Sequence, residues 1–400
     1  MADSVAGLIV AGGAPLDILG LPHEAALTPF GGKYRFIDFA LATLANSRVQ
    51  TAGVTAPSPS AALRSHLAGS ARVRGRRPSL IALPGTAAPS RAGRIVQALA
   101  GCRDLLRGHE RATLVVLLAD HILQPDVRQL VRAHRDLAAD VTLASLPVPL
   151  AEAARRTVLR VGSDQRVHDV QHAPVHPATA PGSRGLALGW AGDLVLDTEA
   201  LPGLLEALAP AAARDDADVL DPLVERWRVM AYDVLDNRLP GRTDGGGAYW
   251  HEATSIEAYY DAHMDLCTPR PTLDLYNAAW PVRPVATGLG PAKVVADAAG
   301  RAGQALNTLV SDGAVIRGGV AINTVLGHGV VIESGAEVED SVLLDGCRIE
   351  RGARVRRAVV GAGAVVPEEA RIGYDLPAAP PWRAMSSGLT IVPSELADAR

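Results

Sequence analysis

Leu8-Ile9-Val10-Ala11-Gly12-Gly13 is an apolar run that ends in two glycines, and the fold reads outward from it. A buried strand followed by a bare glycine turn lets backbone N–H groups approach a phosphate closely. Further short apolar runs stand at 53–55, 80–83, 114–118, 141–146 and 194–196. Helical patterns fill the spaces at 61–67, 91–106 and 127–137. Strands alternating with helices predict a doubly wound, mostly parallel, Rossmann-like α/β sheet covered on both faces. Such sheets bind ligands beyond the C-terminal ends of their strands. Gly12, Gly13 and the pair Asp120-His121 all fall at such ends.

The glycine turn keeps its backbone but lacks cations. From Ala14 to Gly32 there is no Lys or Arg, and the block Phe30-Gly31-Gly32-Lys33-Tyr34-Arg35-Phe36-Ile37-Asp38-Phe39 follows. Transfer of a phosphoryl or nucleotidyl group needs positive charge against the leaving pyrophosphate. Pro15 also removes a backbone donor, and Asp17 and Glu24 add negative charge.

Composition bounds the rest. The 400 residues imply two or three domains, and 48% hydrophobic content with only 4% aromatic implies cores of aliphatic side chains. A formal charge of −4 gives no electrostatic reason to expect nucleic acid or an anionic membrane surface. Cys102, Cys267 and Cys347 are odd in number and far apart, which argues against a zinc cluster or a disulfide framework. The start, Met-Ala-Asp-Ser, has no signal-peptide character, and no 18-residue apolar run is present. The expectation is a soluble, cytoplasmic protein.

Past Pro/Gly-rich linkers at 267–271 and 288–291 the texture changes. Apolar residues recur every six positions: Leu326, Ile332, Val338, Leu344; Leu343, Ile349, Val355; Val360, Val366, Ile372. Six-residue spacing with Gly, Asp and Asn between is the signature of a parallel β-helix. The expected organisation is an α/β domain over 1–266, a linker over 267–306, and a hexapeptide β-helix with a tail over 307–400.

Several segments together carry a resemblance. Phe30–Phe39 continued through Ala45-Asn46-Ser47, Leu118-Ala119-Asp120-His121-Ile122, Pro147-Val148-Pro149, Tyr249-Trp250-His251-Glu252, Asp274-Leu275-Tyr276, Trp280-Pro281-Val282-Arg283, Pro291-Ala292-Lys293 and Asn307–Ser311 resemble blocks of bacterial ADP-glucose pyrophosphorylases (glucose-1-phosphate adenylyltransferases). The resemblance spans roughly residues 7–375. It implies a nucleotidyltransferase domain followed by a left-handed parallel β-helix, in a protein of glycogen or α-glucan biosynthesis. It implies attack by glucose 1-phosphate on the α-phosphorus of ATP, giving ADP-glucose and pyrophosphate with Mg²⁺ on two carboxylates.

Residue by residue, the resemblance places nucleotide binding at Gly12 and Gly13 and the metal carboxylates at Asp120 and Glu252. It leaves Lys33 and Arg35 as the candidate catalytic cations, with framework ion pairing as their alternative. The sugar-phosphate region falls on His172, Gly192 and Asp193. Here the substrate motifs depart from the family. His172 and Ala173 replace a Glu and a Lys, Trp190 replaces a Ser, and Pro57 replaces a Gln. In the segment 94–98 an acid is lost: Gln97 stands in its place, or Val96 in a register that matches Gly93.

Three readings stay open. The first is a non-catalytic or weakly catalytic regulatory or structural subunit, in a homo-tetramer or in a hetero-tetramer with a full-motif subunit. The second is an active adenylyltransferase that uses Mg²⁺. The third is a module that senses ATP, ADP-glucose or a sugar phosphate.

Overall fold

The computed structural model describes residues 4–13, 24–72, 79–84, 88–102, 105–106, 112–242, 247–374 and 382–394. Two compact units interleave along the chain. One comprises Met1–Gly13, Ile37–Trp250 and Tyr276–Val282; the other comprises Ala14–Phe36, His251–Leu275 and Arg283–Arg400.

The first unit is built on a nine-stranded sheet. Its strands are β1 (Ser4–Val10), β2 (Thr51–Ala56), β3 (Ser79–Pro84), β4 (Ala112–Leu118), β5 (Val141–Pro149), β6 (Thr157–Val161), β7 (Val167–His172), β8 (Leu186–Asp197) and β9 (Val229–Asp233). Along the sheet the order is β7-β6-β8-β4-β1-β2-β3, with β5 paired to β8 and β9. The segment β3-β2-β1-β4 is parallel throughout. β8 runs antiparallel to β4 and β5.

The Leu8–Gly13 run lies at the centre of the parallel segment. Val10 stands level with Thr55 on one side and Leu118 on the other. Ala11 N–H donates to Thr55 O, and Ala119 N–H donates to Val10 O. That register brings Gly12 and Asp120 to one end of the sheet. The loop 14–23, where the missing cations were read, lies outside the described residues.

Helix α1 (Phe36–Asn46) follows the glycine block, α2 (Ala61–Arg72) follows β2, and α3 (Arg91–Gly101) follows β3. The Ser90 hydroxyl caps α3 by accepting from Gly93 N–H at 3.0 Å. Ala92, Ile95, Val96 and Leu99, spaced by three and four, bury its inner face in the core. A helix α4 (Asp216–Arg226) lies beside it, and Asp216 Oδ1 accepts from Ala92 N–H at 2.7 Å.

The second unit is a left-handed parallel β-helix with two additional segments. Its inward stacks are Leu326, Leu343, Val360; Ile332, Ile349, Val366; and Val338, Val355, Ile372. Each stack advances by 17 positions per coil, for example Leu326 to Leu343 to Val360. The three faces therefore take six, six and five residues. That explains a difference from the sequence reading: the six-residue run to Leu344 overshoots, because Leu343 fills the stack and Leu344 packs in a different cluster.

The β-helix also begins earlier than residue 307. Lys293–Val295 and Gln304–Leu306 already pair in parallel with Val315–Arg317 and Val320–Ile322. They form the first coil, and only polar or exposed residues there obscured the period.

The glycine block 30–36 belongs to this unit. Gly31 and Gly32 both have positive φ, +57° and +84°. A Cβ on Gly32 would run into Ser311 Oγ and lie 2.9 Å from Leu326 O. Gly31 N–H donates to His263 Nε2 at 3.2 Å, and Tyr259 OH donates to Pro29 O at 2.7 Å. Ile256, Tyr259, Tyr260 and Cys267 pack on Val325, Val342 and Val359 of the β-helix. Cys102, Cys267 and Cys347 are free and buried. Among the described residues no helix is long and apolar enough to cross a membrane.

Candidate functional site

The ends of β1 and β4, the start of α3 and a bulge in β8 converge in the first unit. The register of β8 against β5 shifts between Trp190 and Leu194, and Gly192 takes φ +104° within it. A Cβ on Gly192 would sit 2.9 Å from Leu118 Cδ1, 3.2 Å from Arg91 Cδ and 3.4 Å from His121 Cε1. The bulge therefore lays bare backbone against the Asp120-His121 pair.

Four charged side chains form a buried chain there. Arg94 Nη2 donates to Asp120 Oδ2 at 2.6 Å. Asp120 Oδ1 accepts from His121 Nδ1 at 3.1 Å. His121 Nε2 stands 3.5 Å from Asp193 Oδ1, which also accepts from Leu118 N–H at 2.8 Å. Burial pushes the Asp120 carboxyl up, but the His121 hydrogen bond and the charges of Arg91, His121 and Arg94 overcome it and hold the group at about 2. Burial pulls His121 down, yet the Asp193 and Asp120 carboxylates raise it to about 9. Arg94⁺, Asp120⁻, His121⁺ and Asp193⁻ thus neutralise one another. Removing one partner from such a buried pair costs roughly 3–5 kcal/mol.

Sequence reasoning missed the cations here. Arg94 comes from α3 and lies across the glycine turn, its Cδ 3.1 Å from where a Gly12 Cβ would be. Arg91, one turn earlier, adds positive potential at Asp120. Arg156 stacks over the Trp250 ring at 4.9 Å; burial lowers its pKa, and Arg91 lowers it further. The available signal was the i, i+3 pair Arg91/Arg94 at a helix start.

Mg²⁺ asks for near-octahedral oxygen ligands with little tolerance. Both Asp120 oxygens already accept from nitrogen donors. Among the described residues no three His, Cys, Asp or Glu side chains are grouped to hold a metal. The residues around Asp120 do not fit a divalent ion. Glu252, the other expected ligand, ends the strand Trp250–Glu252 and belongs to the second unit.

The remaining expected site residues fall as follows. Gly192 and Asp193 join the chain around Asp120. His172 Nε2 meets Asp221 Oδ1 of α4 at 3.1 Å, tying β7 to that helix. Arg35 pairs with Asp345 of the β-helix at 2.5 Å, and Lys33 lies 5.7 Å from the Tyr34 ring centroid. Both belong to the second unit. Asp38 itself pairs with His66 at 2.8 Å.

Trp190 points away from the bulge. It is buried in the main core and lines a cavity of about 30 Å³ with Ile95, Val96 and Leu220. A Cβ on Gly93 would collide with Ala212 O. The bulky residues 95, 96 and 190 are therefore a single packing arrangement.

Comparison with known proteins agrees with this architecture. The Nucleotidyl transferase family matches residues 6–268, and the GlmU-like, C-terminal hexapeptide family matches residues 290–392. A nucleotidyl transferase domain carrying a hexapeptide β-helix is the class that the fold and these two matches define. The chain is 33% identical over 403 residues to the glucose-1-phosphate adenylyltransferase of Leifsonia xyli subsp. xyli, covering 97% of this chain and 95% of that one. It is 33% identical over 389 residues to that of Frankia casuarinae, with 93% and 92% covered. It is 34% identical over 330 residues to that of Thermus thermophilus, with 78% of each covered. This chain belongs to the glucose-1-phosphate adenylyltransferase family.

Proposed function

We propose that this chain keeps the adenylyltransferase fold while making little or no ADP-glucose by itself. Its role is that of a regulatory or structural subunit in α-glucan synthesis, beside a full-motif adenylyltransferase in a tetramer. The observation that carries this reading is Asp120: the carboxylate expected to hold the metal is closed by Arg94 and His121. Ile95, Val96 and Trp190 support it, because they turn a segment expected to line the sugar nucleotide into apolar core. The glycine block 30–36 supports it as well, since Gly31, Gly32 and Arg35 serve packing and pairing within the β-helix unit.

The second reading, an active adenylyltransferase, draws on Arg91, Arg94 and Arg156 as replacement cations. One assay separates the two. Full-length protein is incubated with ATP, glucose 1-phosphate and MgCl₂, and pyrophosphate release is followed. Losing one transition-state donor costs about 10²–10³ in rate, so several together should exceed ~10⁴-fold even with strong non-additivity. Turnover within ~100-fold of a full-motif relative assayed alongside would overturn the proposal. Co-expression with that relative is expected to give a mixed oligomer; separate homo-oligomers would remove the subunit role.

A further inference from the structure

The structure assigns Arg94 the place that a divalent cation would take at Asp120, so that this pocket carries its positive charge on the chain and excludes Mg²⁺ and Mn²⁺. The geometry is specific. The guanidinium meets Asp120 Oδ2 at 2.6 Å, and its stem crosses Gly12, where a Cβ would lie 3.1 Å from Arg94 Cδ. Arg94 Nε is buried and, among the described residues, has no hydrogen-bond partner. The side chain is thus held where its charge faces Asp120, at the cost of one unsatisfied donor.

A metal entering here would have to share one Asp120 oxygen with Nη2 and the other with His121. It would then share a desolvated space with a guanidinium that never deprotonates. Among the described residues no three His, Cys, Asp or Glu side chains are grouped to hold a metal, and the neighbouring Asp193 has its Oδ1 committed to Leu118 N–H and facing His121. The sequence fits the same account: residues 14–32 hold no Lys or Arg, and Arg94 supplies a cation from another element across the same turn.

This inference goes beyond the proposed function and does not depend on absent turnover. A chain that releases pyrophosphate with no Asp120-dependent metal would keep it while losing the other. The test is a Mn²⁺ titration of the full chain, with free Mn²⁺ read by electron paramagnetic resonance. Wild type, D120N, R94A and the double variant R94A/D120N are compared. Wild type and D120N are expected to bind Mn²⁺ indistinguishably. R94A should gain a site at least about tenfold tighter than anything in wild type, and R94A/D120N should lose it again. Tighter Mn²⁺ binding by wild type than by D120N would overturn the inference, as would a folded R94A that gains no site. If circular dichroism shows R94A unfolded, R94M keeps the stem over Gly12 while removing the charge, and the same two outcomes apply to it.

Discussion

Trp190 and His263 show how single side chains are committed to packing in this molecule. Trp190 is buried against Ile95 and Val96. Truncating a core Trp typically costs 3–5 kcal/mol. W190A is therefore expected to lose roughly 3–5 kcal/mol in urea unfolding. A loss under ~1 kcal/mol would mean that Trp190 is not a core residue. His263 is buried with Nδ1–H donating to Tyr259 O at 2.8 Å and Nε2 accepting from Gly31 N–H. Burial, opposed by the Tyr259 carbonyl and reinforced by the nearby His251, lowers it from 6.5 to about 4. The unfolded chain then takes up a proton near pH 6.5 that the folded chain refuses until about pH 4. Stability falls as pH drops through that window, by roughly 3 kcal/mol, and levels off below it. Melting temperatures of wild type and H263Q between pH 7 and pH 4 check this. The variant's curve should be flatter, and parallel curves would exclude His263 as the source.

At the scale of elements, the parallel strands were legible because they are uninterrupted aliphatic runs. Residues 114–118, for example, sit inside β4 (Ala112–Leu118), which is buried throughout. The β-helix period was legible for the same reason, since Ile332, Val338, Ile349 and Val355 are all fully buried. β6 and β7 were not legible. Thr157–Val161 and Val167–His172 are half-exposed and mix Arg, His and Asp with their aliphatic residues, so no run stands out. The five-residue face was hidden for a different reason. In the coils from Leu326 onward a period of six fits two faces and slips by one at the third, which a local pattern reads as two overlapping runs. Asp120, Gly192 and Asp193 were legible as parts of motifs. Their partner Arg94 was not, because it reaches the site through the packing of α3, and no spacing in the sequence links 94 to 120. Arg35 illustrates the converse. Its motif is intact, but its partner Asp345 lies 310 residues away and fixes it as framework.

At the scale of the molecule, the boundary that sequence patterns suggest and the boundary of packing do not coincide. The hexapeptide family match covers 290–392, yet the β-helix unit also includes 14–36 and 251–275. Tyr259 and Ile256 cover Val325, Val342 and Val359, and Tyr260 OH donates to Asp340 O at 2.7 Å. A fragment limited to 283–394 would leave that apolar face open. It is expected to aggregate or to bind a hydrophobic dye strongly, and sedimentation of the purified fragment checks it. A monomeric fragment with a cooperative melt would show that the added segments are dispensable.

The same interleaving has a consequence for synthesis of the chain. The hairpin around Gly31 leaves the ribosome well before the residues it pairs with. Its partners His263 and Asp345 follow 232 and 310 residues after Gly31 and Arg35 respectively. At about 5–20 residues per second, those partners arrive roughly 15–60 s later. Until then Phe30, buried in the finished molecule, lacks the His263 ring that lies 4.6 Å from its own. Closing a contact of such sequence separation also slows folding, because the loop entropy is lost before the contact forms. That hairpin is thus made well before its partners and completed only with them, and nascent chains of this protein pass through an interval in which chaperones have an apolar hairpin to hold.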